Sequence, residues 1–544
     1  MTIRKKLLWA SGLLVLIFVT ILFLTARYAG RVIEPFVRSF LEENKPLNHQ
    51  VKFGRLEVNL IKSIIDIRDL RVYPDSSLVK SENVWWDFTV PTVKLTDFSL
   101  WDFLFNKKLS IGDFLFLNPK VEIHFPILKP DKVREVTAVL SPKKIKPAAF
   151  KSFSLEKILI SKGTLKIFRD TVLLANSPDI SFIAQQLSLE KSAGDKQFIL
   201  KYGDVRLNIS DINLNPESSL YEIKLGKFTL NRSDSTIILE RLKVTPLYDK
   251  VEFSKKLSHQ DDRIDLNINR ITIIHLGFER WLNGQPLEIS KAMIDSLDAD
   301  IYRDRNVAMD PKRFPLYYNE LFLKINFPML IDTLSVVNST ILYGELAEGD
   351  PKAGEITLND FNLSTYGLSD QVPDIPPPDE MRIFLNAKVM GEGTLKVELA
   401  LPLKGNLHDF KCTGSVGATK LSPLNHMMGP SMNMNFKDGK VTRMTFDFTA
   451  NDKNSKGWME FLYKGLDVSL LSKDQTRKKG FLSKLFNSLM LTDNPAPGKD
   501  LITVEIGYER DKNKGIINYM WKTLQSGMTR TIMQQKKYEI NRKK

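Results

Sequence analysis

From Val51 to Thr419 there are many runs in which apolar residues recur at every second position, and few stretches carry the three-to-four-residue spacing of a helix. Period two belongs to strands that turn one face to a core and the other to water. Roughly 370 residues of it predict a very large sheet, and an open twisted sheet rarely exceeds about ten strands without curling, splitting or flattening. Too few helical stretches are present in this region to cover the oily side. Two architectures remain: several sandwiches that bury their apolar faces against each other, or one long antiparallel sheet curled so that its apolar face lines an open groove. Sandwiches require linkers. "QVPDIPPPDE" (371–380) is the one good candidate and "SPKKIKPAAF" (141–150) a lesser one, yet proline is equally at home at a sheet edge. The expectation carried forward is the mainly β, open groove.

A recurring beat sharpens it. In "SLEKILISKGTLKIFRD" (154–170), Ile158 and Ile160 precede Ser161–Thr164, and Leu165 and Ile167 follow. A four-residue hairpin loop at 161–164 pairs Ile160 with Leu165 and Ile158 with Ile167, placing all four on one face. "IGDFLFLNPKVEIHF" fits the template through Phe114, Phe116, Val121 and Ile123. "ISKAMIDSLDADIYRD" fits through Ala292, Ile294, Ala299 and Ile301, and "IDTLSVVNSTILYGE" through Leu334, Val336, Ile341 and Tyr343. Their irregular intervals make a recurring hairpin rather than a fixed-period repeat. The candidate groove-facing residues are therefore Phe114, Phe116, Val121, Ile123, Ile158, Ile160, Leu165, Ile167, Leu334, Val336, Ile341 and Tyr343; ordinary sandwich core is the competing assignment for each. Asp438-Gly439 and Lys464-Gly465 read as further turns between strands.

The chemistry-bearing residues form no constellation. Six histidines, His49, His124, His259, His275, His408 and His426, show no HExxH, HxH or Cys/His spacing. Cys412 is the single cysteine, which excludes an internal disulfide and a multi-thiolate metal site. "GEGTLK" (391–396) lacks the spacing of a phosphate loop and reads as a turn, and no nucleophile elbow is present. No enzyme activity and no cofactor are expected. The net charge of +14 suits an anionic partner, but the cations are spread along the chain without interleaved aromatics, so nucleic acid is not among the expected partners.

The ends differ from the middle. After Arg4, Lys5 and Lys6, the run Leu7–Leu24 carries no charge and as a helix spans about 27 Å, close to the roughly 30 Å of a bilayer core. It exceeds a usual signal-peptide apolar region and lacks a clean small-residue cleavage site, so residues 1–27 read as an uncleaved anchor with a cytoplasmic tip and the bulk of the chain outside the cytoplasm. Residues 28–48 read as an amphipathic juxtamembrane helix, 49–410 as the repeating β region with a subdivision near 371–380, and 411–544 as a C-terminal region with amphipathic helices at 479–491 and 514–533. In the second of these, Ile517, Met520, Trp521, Leu524, Met528 and Ile532 share the apolar spacing.

Assembled, these features resemble the AsmA-like family of repeating β-groove envelope proteins. The anchor followed by "VKFGRLEVNLIKSIIDIRDLRVYP" resembles the family's opening. "GSVGATKLSPLNHMMGPSMNMNFKDGKVTRMTFDFTANDKNSKGWMEFLYKGLDVSLL" is similar to its C-terminal region, and "YERDKNKGIINYMWKTLQSGM" extends the likeness. The resemblance implies a bacterial inner-membrane protein with a periplasmic groove, linked to phospholipid movement toward the outer membrane and to envelope integrity. The partners it implies are a phospholipid or other acyl-chain lipid, the inner membrane through residues 7–24, and an outer-membrane or periplasmic protein. The alternative function is a non-enzymatic scaffold or assembly factor for outer-membrane proteins.

Overall fold

The computed structural model describes residues 33–534 apart from 36, 40, 44, 47, 60–61, 80–83, 100–101, 107, 126–151, 192–197, 202, 217–219, 278–284, 326–327, 371–377 and 472–487. The expected anchor (7–24) and most of the expected helix at 479–491 lie outside the described residues. The chain is mainly β, as the alternation predicts, and its strands belong to one large sheet. It divides into two compact units, Met1–Glu217 with Leu225–Ile237, and Ser218–Lys224 with Ile238–Lys544.

The first unit holds β1 (His49–Lys52), β2 (Leu56–Asn59), β3 (Ile64–Pro74), β4 (Trp85–Leu95), β5 (Lys108–Leu117) and β6 (Lys120–Phe125). β7 (Ser152–Arg169), β8 (Val172–Lys191), β9 (Phe198–Lys201) and β10 (Val205–Leu214) complete it. β1 and β2 pair with β3, and β3 with β4. β4 pairs with both β5 and β6, which together lie along β7. β8 follows on the other side of β7 and takes β9 and β10. Helical residues 33–35, 37–39 and 41–43 bring Ile33, Val37 and Leu41 into the apolar core of this unit. That is the use this amphipathic stretch makes of its oily stripe.

β11 (Tyr221–Asn231) and β12 (Thr236–Pro246) carry the points at which the chain passes between units. The second unit continues with β13 (Asp262–Leu276), β14 (Leu287–Asp304), β15 (Met329–Leu346), β16 (Gly354–Asp370), β17 (Glu380–Val389) and β18 (Gly393–Pro402). It ends with β19 (Phe410–Val416), β20 (Thr419–Lys420), β21 (Met434–Ala450), β22 (Asn454–Leu470) and β23 (Thr503–Glu509). Neighbours run in sequence order from β13 to β19, then β21, β22 and β23, with β20 a short addition to β21. Among the described residues, α-helices α1 (Lys250–Lys255), α2 (Tyr318–Leu323), α3 (Asn425–Met432) and α4 (Ile516–Ile532) accompany them. Asp249 caps α1 by accepting from the backbone N–H groups of Val251 and Glu252. α4 lies close against β22 and β23, because a β-carbon at Gly527 would overlap Ile506 and Met459. Its Ser526 Oγ accepts from the Gly507 N–H at 3.1 Å and its Arg530 donates to the Glu505 carbonyl, so α4 also occupies backbone groups of β23 that β22 leaves open.

Two expectations need correction. The sheet is not uniformly antiparallel: β5 and β6 run parallel to β7, and β14 parallel to β15. Nor are the four beats hairpins. β7, β14 and β15 each pass straight through the supposed loop, and β5 and β6 continue in one direction across Asn118 and Pro119. The supposed turns at Asp438-Gly439 and Lys464-Gly465 also lie inside continuous strands, β21 and β22.

The physical reason is a bulge. Each beat holds, between its two apolar pairs, one residue in the left-handed region, Asn118 (φ 52°), Lys162 (54°), Ser296 (57°) and Asn338 (53°). One extra residue shifts the alternation by one, so side chains an odd number apart come to share a face without the chain reversing. Phe116 and Val121 demonstrate it. Phe88 is the register partner of Val121, and its ring packs edge-on against Phe116 at 5.8 Å. Gly163 follows Lys162 because a β-carbon there would sit 3.1 Å from Pro119 Cγ.

Candidate functional site: an apolar wall

Register places the twelve sequence-chosen residues side by side in two groups. In the first unit Phe114, Phe116, Val121 and Ile123 lie opposite Ile158, Ile160, Leu165 and Ile167. In the second, Leu334, Val336, Ile341 and Tyr343 lie opposite Ala292, Ile294, Ala299 and Ile301. Paired residues of a parallel ladder point to the same face, so each group forms an unbroken apolar ladder. The bulges align as well. The Asn118 N–H bonds the Ser161 carbonyl at 3.0 Å, and the Leu297 N–H bonds Ser339 Oγ at 3.0 Å.

The ladders extend into rows across each unit. In the first, Leu56, Ile67 and Val93 are buried. Their row continues through Phe116, Ile160, Phe182 and Leu207, all half-buried. In the second, Ile271, Ile294, Val336, Leu363, Leu385 and Val397 are half-buried. Their row passes Gly414 and ends at Phe446, Met459 and Val504, each no more than 3% exposed. Sequence reasoning missed most of these. The signal was present: "VRLNISDINL" of β10 alternates, slips at Asp211 (φ 51°) and resumes.

What closes part of each row is visible. In the first unit Ile33, Val37 and Leu41 join the core that includes Leu56, Ile67, Val93 and Leu155. Over β22 and β23 the cover is α4, whose Ile516, Tyr519, Met520, Leu524 and Met528 join the core, with Tyr519 reaching Phe410 of β19. α3 packs on β16 beside Gly354, where a β-carbon would strike Met427 and Ser431. Ile517 and Trp521, expected on the apolar stripe of α4, are instead 59% and 45% exposed, because the face that docks is set by Gly527 and Thr523 on the opposite side.

The opposite face carries charge in register. Lys157 pairs with Asp113 at 3.1 Å and Lys166 faces Glu122 at 3.8 Å, each across the same β5–β6–β7 ladder. Such exposed pairs set strand order more than they stabilise. Cys412 is buried in the second unit's core, and burial pushes its thiol up to about 12, so it acts there as a small apolar side chain. The densest polar cluster is a clamp. His408 bonds Asp452 at 2.6 Å through Nδ1 and meets Glu320 at 3.3 Å through Nε2, and Arg510 bonds Asp452 at 2.5 Å. The His408 hydrogen bond holds the Asp452 carboxyl below the usual range. The clamp ties α2 to the β18–β19 loop, the β21–β22 turn and the end of β23.

No family model matches the chain, and no curated protein matches it. Among the described residues no helix is long and apolar enough to cross a membrane.

Proposed function

We propose that the chain is a membrane-anchored, periplasmic protein that binds acyl-chain lipids along its apolar wall and passes them toward the outer membrane. The observation that carries the reading is the in-register row of Phe116, Ile160, Phe182 and Leu207 from β5 to β10, which stays half-buried where it runs on from the unit's buried core, with Phe116 and Phe182 packed against that core. Each acyl methylene withdrawn from water contributes about 0.8 kcal/mol, so a chain of a dozen carbons is held well while its headgroup stays wet. Rows of similar side chains give neighbouring positions similar energies, which lets a lipid slide. The resemblance to the AsmA-like family supports the same reading. A second reading, a scaffold for outer-membrane protein assembly, draws on the sealed core of β19–β23, which offers a lipid no open face.

The test replaces Ile160 and Leu165 with Asp and measures by mass spectrometry the phospholipid retained by detergent-purified protein. A loss of most bound lipid with an unchanged melting curve is expected. Unchanged lipid in the folded variant counts against transfer.

A further inference from the structure

The second unit carries an apolar surface that the wall does not use. Phe314, Tyr318, Leu321 and Ile325 are 61%, 40%, 51% and 55% exposed. Tyr318, Leu321 and Ile325 follow the three-to-four spacing of one helical face, outward from α2, whose Asn319 and Phe322 are buried. Ile517 and Trp521 stand four apart on the solvent side of α4. The two helices are fastened together at their starts. Asn513 Nδ2 donates to the carbonyls of Pro311 (3.1 Å) and Arg313 (3.2 Å), and Pro315 lies 3.8 Å from the β-carbon position of Gly515. Tyr317 of one segment and Tyr519 of the other pack on the same ring, Phe410.

Charge accompanies the apolar residues. Across 309–325 and 511–522 the cations are Lys312, Arg313, Lys324, Lys512, Lys514 and Lys522, against Asp310, Glu320 and Asp511. Glu320 is turned inward to His408 and the Tyr317 N–H. Arg313 is paired with Asp261 at 3.2 Å and Lys514 donates to Met309, which leaves Lys312, Lys324, Lys512 and Lys522 as the local excess. Exposed Trp, Tyr and aliphatic side chains in segments with such an excess of lysine have the composition that adsorbs at the headgroup boundary of an anionic bilayer. A protein partner would gain less from it, since lysine is depleted at protein interfaces.

We infer that this α2–α4 face docks on an anionic lipid surface, giving the chain a second membrane contact distinct from residues 7–24. The full chain is held through its anchor in nanodiscs of zwitterionic phosphatidylcholine and mixed with fluorescent vesicles of 30% phosphatidylglycerol in phosphatidylcholine. Capture of the vesicles is expected. Leu321→Glu with Trp521→Glu weakens it at least tenfold, and Lys312→Glu and Lys324→Glu weaken it roughly fivefold each. Tyr366→Ser with Phe384→Ser, exposed elsewhere on the same unit, leaves capture unchanged. Equal capture by wild type and the Leu321→Glu, Trp521→Glu variant overturns the inference, as does equal capture by pure phosphatidylcholine vesicles or none by wild type. Should that variant fail to fold, brominated-lipid quenching of tryptophan fluorescence decides: it should fall in Trp521→Phe, and equal quenching overturns the inference. Ile160→Asp with Leu165→Asp should still capture vesicles, so failure of the wall and failure of this face are distinguishable.

Discussion

The rows of β13–β16 and of β21–β23 are the same construction with different outcomes. Both alternate, both present Ile, Leu, Val, Met or Phe to one side, and the second continues the first strand by strand. Over β21–β23 the row is dry, with Met459 at 0% and Val504 at 1% exposed; Ile294 and Val336 stay half-buried. The difference is cover. α4 supplies an apolar stripe and a glycine that lets it approach β22 and β23, whereas among the described residues β15 meets only the short α3, which packs chiefly on β16, and the core reaches it at Leu334 but not at Val336. An alternating strand therefore states only that one face is oily; whether that face becomes core or wall depends on what else arrives.

That comparison is open to attack by mutation, and the largest effect is expected in the covered region. Phe448→Ala should cost about 3–5 kcal/mol in denaturant unfolding, since Phe448 is 1% exposed among Phe410, Phe446 and Gly457. Ile160→Ala in the wall should cost only about 1 kcal/mol. Equal costs would mean that the wall is core after all. Next, Gly527→Val forces α4 away from Ile506 and Met459 and should cost about 1–3 kcal/mol. Hydrogen exchange would then rise in β22 and β23 while β14 and β15 keep their protection; a uniform rise would sink the assignment of α4 as a local cover. The smallest effect concerns the clamp at the covered end. Asp452 is held below its unfolded value of about 3.9, so its contribution is fully present above that value and is lost as pH falls through the lower folded value. Asp452 is 40% exposed, which limits that contribution to at most about 1 kcal/mol. Asp452→Asn should flatten the acid limb of a stability-versus-pH curve by that amount; an unchanged acid limb would mean that the clamp does not stabilise the covered end.

Much of the wall was legible. The beats at 111–125, 154–170, 289–304 and 331–345 mark where the alternation slips, and the structure puts a left-handed residue at every slip. The residues chosen from those beats do share faces. What the beats could not state is direction, because a hairpin and a bulge leave the same signature: both return side chains an odd number apart to one face. Lys162 and Asn338 are polar residues of the kind that suits either a loop or a bulge. The partners were hidden for the same reason. Phe116 meets Ile160 across 44 positions in sequence through a parallel pairing, and nothing local to either strand specifies it. Helix α4 was legible in position but not in orientation. Its period allows Ile517 and Trp521 inside or outside, and the choice was made by Gly527 fitting against Ile506.

By itself the sequence determined that this chain builds a large β sheet with one oily face and, with a single cysteine, no internal disulfide to hold it. Those properties follow from the period of side-chain alternation and from residue identity, both of which are local. Only the tertiary structure decided which strands run parallel, which bulges align, and which stretch of the oily face a helix covers. These are contests between distant segments for the same apolar surface, and their outcome rests on shape and reach that no single segment encodes.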